Sequence, residues 1–305
     1  MLKVSLNLDP KSYLKRKDLD RTHHFTLAQG QIRGAYLHGN LMIHEMKANH
    51  GLGALETLIL GQAYLAGGLL ATTLKNEERL NFKIDCTGPI GGLSVDSSSF
   101  GEIRGYLFSN PIVLPPGTTE LALDKLWGTG TLMVTRKKGA GAPHVSSLEL
   151  KYPDLATNLV DYCQNSDQVT TALDLSLRFD ENGQLLGAGG LILQALPGAD
   201  EATLASAFSR VKGLPSLGDN ASEDHDPSAL LEFWFGDLEP KLLQSRRIEF
   251  FCPCSKNQFL GYMKTLPLSD RQSIALEGPF PVVTTCHNCG TVYEFEQAEL
   301  EEISK

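Results

Sequence analysis

The sequence predicts an α+β protein with a mixed sheet-and-helix N-terminal domain, a helical linker region and a small, cysteine-marked C-terminal domain. Three observations carry that reading. Short alternating apolar stretches between turn residues are interleaved with helical patterns over the first two thirds of the chain. After residue 197 the chain turns to amphipathic pieces interrupted by proline and glycine. Of the 6 cysteines, Cys252, Cys254, Cys286 and Cys289 then fall in two close pairs. A chain of 305 residues accommodates two or three folded units, with boundaries expected at 1–197, 198–246 and 247–305.

In chain order, residues 25–27 and 32–36 read as short strands within a polar, basic N-terminal stretch. Residues 52–74 read as helix, with Leu55, Leu58, Ile59, Tyr64 and Leu65 recurring at helical spacing. A strand-rich block follows. Residues 81–85 alternate, 91–95 lie between glycine turns, and 130–135 and 148–150 are further strand candidates. Residues 154–163 look helical, with Leu155, Leu159, Val160 and Tyr162 on the apolar side. Strands at 172–179 and 191–196 complete the first unit. In 198–246, Leu204, Phe208 and Val211 fall at i, i+4 and i+7, and Leu230, Leu231, Phe233, Trp234 and Phe235 form a dense apolar cluster. That segment is too hydrophobic for a free linker and too short for a core of its own. Its helices must dock. Phe233, Trp234 and Phe235 are the expected contacts, made with a neighbouring domain or with another protein.

Hydrophobic residues at 42% and charged residues at 21% are ordinary globular values. The net charge of −9 is unevenly placed: from Asp219 to Lys305 there are 15 acidic and 7 basic residues, against 21 and 20 before. An acidic final third repels phosphate backbones, so no nucleic acid partner is expected. Charges and Pro10 interrupt the N-terminus before any apolar run develops, which gives no secretory signal and points to the cytoplasm. Residues 52–74 carry Glu56, Gln62 and four glycines, which suits a buried helix or helix pair rather than a membrane span.

In a reducing compartment, close cysteine pairs point to metal or redox chemistry rather than structural disulfides. Cys252-Pro253-Cys254 and Cys286-His287-Asn288-Cys289-Gly290 are separated by 31 residues. Four thiolates so arranged suit tetrahedral Zn²⁺. An extended Cys-x-Cys places both side chains on one face, and Gly290 can take the backbone angle the Cys-x-x-Cys turn needs. A metal would add stability to a unit whose own core is small. A permanent zinc ribbon and a thioredoxin-like Cys-x-x-Cys are the other readings of the same residues. The latter should open a helix, whereas Thr291-Val292-Tyr293-Glu294-Phe295 alternates like a strand. His287 reads as a turn residue, since four sulfurs already complete the shell.

The order Cys-x-Cys, 31 residues, Cys-x-x-Cys resembles the redox-regulated holdase chaperones of the heat-shock protein 33 family. Phe251-Cys252-Pro253-Cys254-Ser255 and Cys289-Gly290-Thr291-Val292-Tyr293-Glu294-Phe295 are similar to the family's zinc domain. Upstream, Ile32-Arg33-Gly34, residues 69–75 (LLATTLK), Gly88-Pro89, Gly128-Thr129-Gly130, Ser166-Asp167-Gln168 and residues 187–197 (GAGGLILQALP) appear in the family's order. The likeness spans about residues 30–305. It departs at Lys256 and Asn257, where an Arg-Glu pair is common, and after Gly141; neither departure touches a ligand pair. The resemblance implies a non-enzymatic, ATP-independent chaperone whose partners are unfolded or oxidatively damaged client proteins. It implies Zn²⁺ held by Cys252, Cys254, Cys286 and Cys289, and oxidation that closes Cys252–Cys254 and Cys286–Cys289 disulfides. It further implies release of the 198–246 helices to expose apolar surface, with Phe233, Trp234 and Phe235 as client or linker contacts. The oxidised form is open to pairing as a homodimer. A zinc-ribbon interaction protein and a thiol-disulfide oxidoreductase are the alternative functions.

Other features read as structural. Gly187-Ala188-Gly189-Gly190 lacks the Lys-Ser/Thr of a phosphate loop and reads as a turn before a buried strand. His23, His24, His38, His44 and His50 fit no standard ligand spacing. Cys86 and Cys163 read as lone core cysteines.

Overall fold

The short strands read at the N-terminus become β1 (Arg21–Leu27) and β2 (Ile32–His38), whose residues Phe25, Leu27, Ile32 and Leu37 are buried. The computed structural model describes residues 9, 11–14, 20–116, 123–139, 141–222 and 225–304; most of the polar N-terminal stretch, and Glu223 and Asp224 of the 198–246 segment, lie outside them. After β2 come α1 (Asn40–His50), α2 (Ala54–Ala71), β3 (Arg79–Cys86), β4 (Gly92–Ser98), β5 (Glu102–Leu107), α3 (Leu123–Trp127), β6 (Gly130–Lys137), β7 (His144–Glu149), α4 (Leu155–Asn165), β8 (Thr171–Phe179) and β9 (Leu185–Ala195). The strand and helix positions expected from periodicity are met. Three of these elements, α1, β5 and α3, were not legible in advance.

Two sheets enclose α2. The first has the order β10-β1-β2-β9-β8 and is antiparallel throughout; the second has the order β11-β5-β4-β3-β6-β7. Here β10 is Lys241–Arg247 and β11 is Glu249–Phe250, so the chain crosses from one sheet to the other at Ile248. Strand β11 runs parallel to β5. Helix α2 is long and apolar enough to cross a membrane, yet 78% of it is buried inside the fold. Its glycines explain the burial. A Cβ on Gly67 would lie 2.6 Å from Ser97 Oγ of β4, and one on Gly68 would lie 2.6 Å from Leu37 of β2 and 2.4 Å from Ile248. Small residues let the helix sit between sheets that approach from both sides.

The same reason corrects the reading of residues 187–190. They are not a turn but the middle of β9, with buried residues on both faces. A Cβ on Gly189 would lie 2.7 Å from the Leu217 carbonyl, and one on Gly190 would lie 2.9 Å from Leu69 of α2. Glycine is required there by close approach, not by a bend.

Helices α5 (Glu201–Val211), α6 (Leu217–Ser222) and α7 (Pro227–Phe235) cover the outer face of the first sheet. Asp200 and Asp226 cap two of them, accepting from Thr203 N at 2.9 Å and Ser228 N at 3.2 Å. Ala207, Val211, Leu217, Leu231, Trp234 and Phe235 pack on Phe25, Tyr36, Leu191 and Leu193. Trp234 meets Tyr36 edge-on at 5.3 Å, and Phe235 stacks on Phe25 at 6.3 Å. Phe233 does not share this role: it is 77% exposed. Positions 231, 234 and 235 lie on one helical face at i, i+3 and i+4, and 233 points away. The segment also ends in strand β10 rather than helix, pairing with β1.

Helix α1 buries two carboxylates. Asp20 accepts from Leu41 N at 3.1 Å and Met42 N at 2.6 Å, capping the helix; burial pushes its pKa up to about 8. Glu45 is 4% exposed and accepts a hydrogen bond from Tyr13 Oη at 3.0 Å, and burial pushes it up to about 7. The folded protein therefore holds this proton to higher pH than the unfolded chain, whose value is near 4.5, and stability falls as pH rises between those values. Glu45→Gln keeps an acceptor for Tyr13 without the charge. Its urea midpoint, relative to wild type, should rise between about pH 4.5 and about pH 7. A pH-independent difference would show that Glu45 does not titrate in this window.

Candidate metal centre

Cys252 and Cys254 leave the second sheet directly. Phe251 N donates to Ile103 O at 3.0 Å, extending the pairing of β11 with β5 up to the first cysteine. Ser255 then caps α8 (Lys256–Met263), accepting from Gln258 N at 3.3 Å, and the chain turns away. The intervening residues form α8, α9 (Leu268–Glu277) and β12 (Val282–Thr285), which returns antiparallel to β13 (Val292–Phe295) before α10 (Gln297–Ile303). Ala275, Phe295, Leu300 and Ile303 make a small separate core for this unit. Between β12 and β13, Gly290 N and Cys289 N both turn back to Cys286 O, at 2.8 and 3.2 Å. Gly290 has φ +66, and a Cβ there would lie 2.2 Å from the Asn49 carbonyl. This knuckle is seated against the end of α1.

The geometry brings all four predicted cysteines together. Their sulfurs lie within 4.8 Å of one another, the one group among the described residues able to hold a metal ion. Cys252 Sγ is 3.8 Å from Cys286 Sγ, and Cys254 Sγ is 3.4 Å from Cys289 Sγ. A disulfide would be ~2.05 Å, whereas the edge of a tetrahedron with ~2.3 Å metal–sulfur bonds is ~3.8 Å. The donor set therefore fits a tetrahedral, thiophilic cation. Cys252, Cys286 and Cys289 are buried and Cys254 is half-buried.

Four sulfurs this close cannot all ionise without a cation. Hydrogen bonds from Cys252 and Cys286 hold the Cys289 thiol far below its usual value, while Cys286, bonded first to Cys252 and then to Cys289, is pushed far above it. A bound cation would allow all four to be thiolates. Neighbouring side chains are aimed at the sulfurs. Tyr293 Oη donates to Cys254 Sγ at 3.2 Å, Thr291 Oγ1 lies 3.2 Å from Cys289 Sγ, and Arg104 Nη1 donates to Cys252 Sγ at 3.8 Å. These three roles were missed in the sequence. Thr291 and Tyr293 stood inside a quoted motif, but nothing local shows that Arg104, on β5, reaches a cysteine 148 residues away.

Cys254 and Cys286 also border a cavity of about 320 Å³, shared with Arg104, Tyr106, Tyr262 and His287. His287 packs on Tyr106 at 5.4 Å and does not join the sulfur group. His50, at the end of α1, faces the knuckle and interacts with the Asn288 backbone and the Cys289 sulfur, outside the sulfur group itself; Cys86, Cys163 and His23 lie away from it. Burial pushes the Cys163 thiol up to about 11 and raises that of Cys86, which suits unreactive cysteines. His23 is buried in β1, stacked on Tyr36 and bonded to Ser245.

A sequence model for the Hsp33 protein family matches residues 20–296, spanning both sheets, the docked helices and the four cysteines. The chain belongs to the Hsp33 family. Among proteins similar to it are the 33 kDa chaperonin of Ruminiclostridium cellulolyticum, 30% identical over 282 residues (92% of this chain, 96% of that one), and that of Synechococcus elongatus, 34% identical over 287 residues (91% and 95%). In fold it resembles the crystal structure of the 33 kDa chaperonin, or heat shock protein 33 homologue, of Thermotoga maritima. The TM-score is 0.82 at 24% identity, covering 93% of this chain and 97% of that one. The two-sheet, helix-covered α+β architecture described above is thus the Hsp33 fold.

Proposed function

We propose that this Hsp33-family chain is an ATP-independent holdase chaperone of the cytoplasm, switched on by oxidation of a Zn²⁺-loaded centre formed by Cys252, Cys254, Cys286 and Cys289. The carrying observation is the cluster of four sulfurs within 4.8 Å, set where β11 and the C-terminal unit meet. Zinc, when bound, keeps all four cysteines ionised and ties the two segments together. Residues 1–197 are the core, 198–246 the metastable helical cover and 247–305 the switch.

In the reaction so envisaged, two peroxides take four electrons from the four thiolates and, with four protons, leave as four waters. Two S–S bonds form, Cys252–Cys254 and Cys286–Cys289, each within its own short segment. The metal that tied the two segments together is then gone, and the C-terminal unit is left with its small core and a few weak contacts at the seam. Because α7 runs through β10 and β11 straight into Cys252, loss of order there reaches the docked helices. Trp234 and Phe235 would then join exposed Phe233 as a surface for unfolding clients. No turnover is required, so the protein acts in near-equimolar amounts.

The decisive experiment follows zinc release and suppression of a heat-unfolded client's aggregation together, before and after peroxide at raised temperature. One zinc per chain when reduced, lost as activity appears, is the expected result. Activity that is equal in reduced, zinc-loaded protein, or substoichiometric turnover of a disulfide substrate, would sink this reading.

A further inference from the structure

We infer that Arg104 is a positioning residue of the sulfur centre, a charge-assisted clamp that holds the reduced centre on the second sheet and releases when Cys252 is oxidised. The inference rests on reading the centre as a thiolate metal site. Arg104 lies on β5, between β4 and β11. Its guanidinium donates from Nε at 3.2 Å and Nη2 at 3.0 Å to Asp96 Oδ2 on β4, and from Nη1 at 3.8 Å to Cys252 Sγ. One planar fork thus joins the core to the first cysteine. Both side chains are partly shielded from solvent, at 24% and 30% exposure, so the interaction is less screened than a surface pair.

The chemistry makes this bond depend on redox state. Four thiolates around a dication carry two net negative charges, which a guanidinium beside them offsets. A thiolate accepts strongly from a cation; a disulfide sulfur is neutral and a poor acceptor. The other contacts at the same seam, His287 on Tyr106 and Gly290 on Asn49, involve no thiolate charge. Tyr293 and Thr291 bond sulfurs from within the C-terminal unit, so among the described contacts Arg104 is the charged side chain that bonds one from the sheet side of the seam. Lysine could replace its charge but not its fork, since only the guanidinium bonds Asp96 and Cys252 together.

The test compares the full-length wild type with Arg104→Gln, Arg104→Lys and Asp96→Asn. Zinc affinity is measured by chelator competition, and peptide-resolved hydrogen exchange is followed at 102–107 and 251–255 in reduced and oxidised protein. Arg104→Gln should lower zinc affinity about 10–100-fold, the usual range for an outer-shell partner, with Arg104→Lys recovering part and Asp96→Asn losing less. In the oxidised protein the variants should differ from wild type in exchange and in thermal midpoint only by the small cost of the lost Arg104–Asp96 pair, and less than in the reduced protein. If Arg104→Gln fails to fold, the Lys and Asn variants carry the same comparison. A zinc-loaded wild type matched within about twofold by Arg104→Gln overturns the clamp alone. Equal destabilisation of reduced and oxidised forms also overturns it, since that is a merely structural role. A wild-type chain that takes up no zinc overturns the metal reading, and the clamp with it.

Discussion

Cys289→Ser is expected to abolish tight zinc binding and to unfold the C-terminal unit while leaving both sheets intact. Cys289 is the most buried of the four, at 1% exposure, and its sulfur is within reach of Cys254 and Thr291. Serine supplies an oxygen that does not ionise near neutral pH, so one of four ligands is lost. Structural zinc binding in small domains is worth ~10–16 kcal/mol, far beyond what Ala275, Phe295, Leu300 and Ile303 can supply as a core. The loss should appear as absent metal and as rapid hydrogen exchange throughout 251–304, with residues 21–195 still protected. Cys163→Ser sits in α4, away from the centre, and should cost a few kcal/mol at most while retaining one zinc. Full metal content and protection in Cys289→Ser would refute the four-sulfur site. Loss of the oxidative response in the Cys163 variant alone would move the redox centre elsewhere.

Phe235→Ala should undock the helices of 198–246, and Phe233→Ala should not. Phe235 is wholly buried against Phe25, so truncation leaves a cavity costing ~3–5 kcal/mol. Short helices such as α6 and α7 have little stability of their own and owe their order to this packing. A loss of that size removes a large share of the packing the cover shares among Val211, Leu217, Leu231 and Trp234. The expected result is fast exchange over 201–235 in the reduced, zinc-loaded protein, together with client binding that no longer needs oxidant. Phe233, being exposed, should change stability by no more than ~0.5 kcal/mol, and its replacement should weaken client binding only where α7 itself contacts the client. Slow exchange over 201–235 in Phe235→Ala, or oxidant dependence unchanged from wild type, would show that the helix cover does not gate activity.

These two substitutions stand two residues apart on one helix. Leu230, Leu231, Phe233, Trp234 and Phe235 are equally hydrophobic in composition, and a run so dense has no periodicity to say which side faces inward. The first sheet decides it: Tyr36 and Phe25 receive Trp234 and Phe235, and Phe233 is left in solvent. Residues 187–190 were misread for a related reason. Four small residues look like a turn locally, and only the presence of α2 on one face and α6 on the other shows them to be a tightly covered strand.

What the sequence by itself determined is what depends on neighbours a few residues apart. Short strand-like pieces mark β1 and β2, period-two alternation marks β3, glycine turns bound β4, the apolar spacing of 52–74 marks α2, Asp154 marks the start of α4, and the Cys-x-Cys and Cys-x-x-Cys spacings mark the four-sulfur cluster and the family. Backbone sterics and ligand reach act over such distances and leave their pattern in the chain. Only the tertiary structure decided the rest: that β10 pairs with β1 more than 200 residues away, that Gly290 seats the knuckle on α1, and that Arg104 reaches Cys252. Each of these joins residues far apart in the chain, where the closing contact is selected by packing between whole sheets and helices and leaves no local trace.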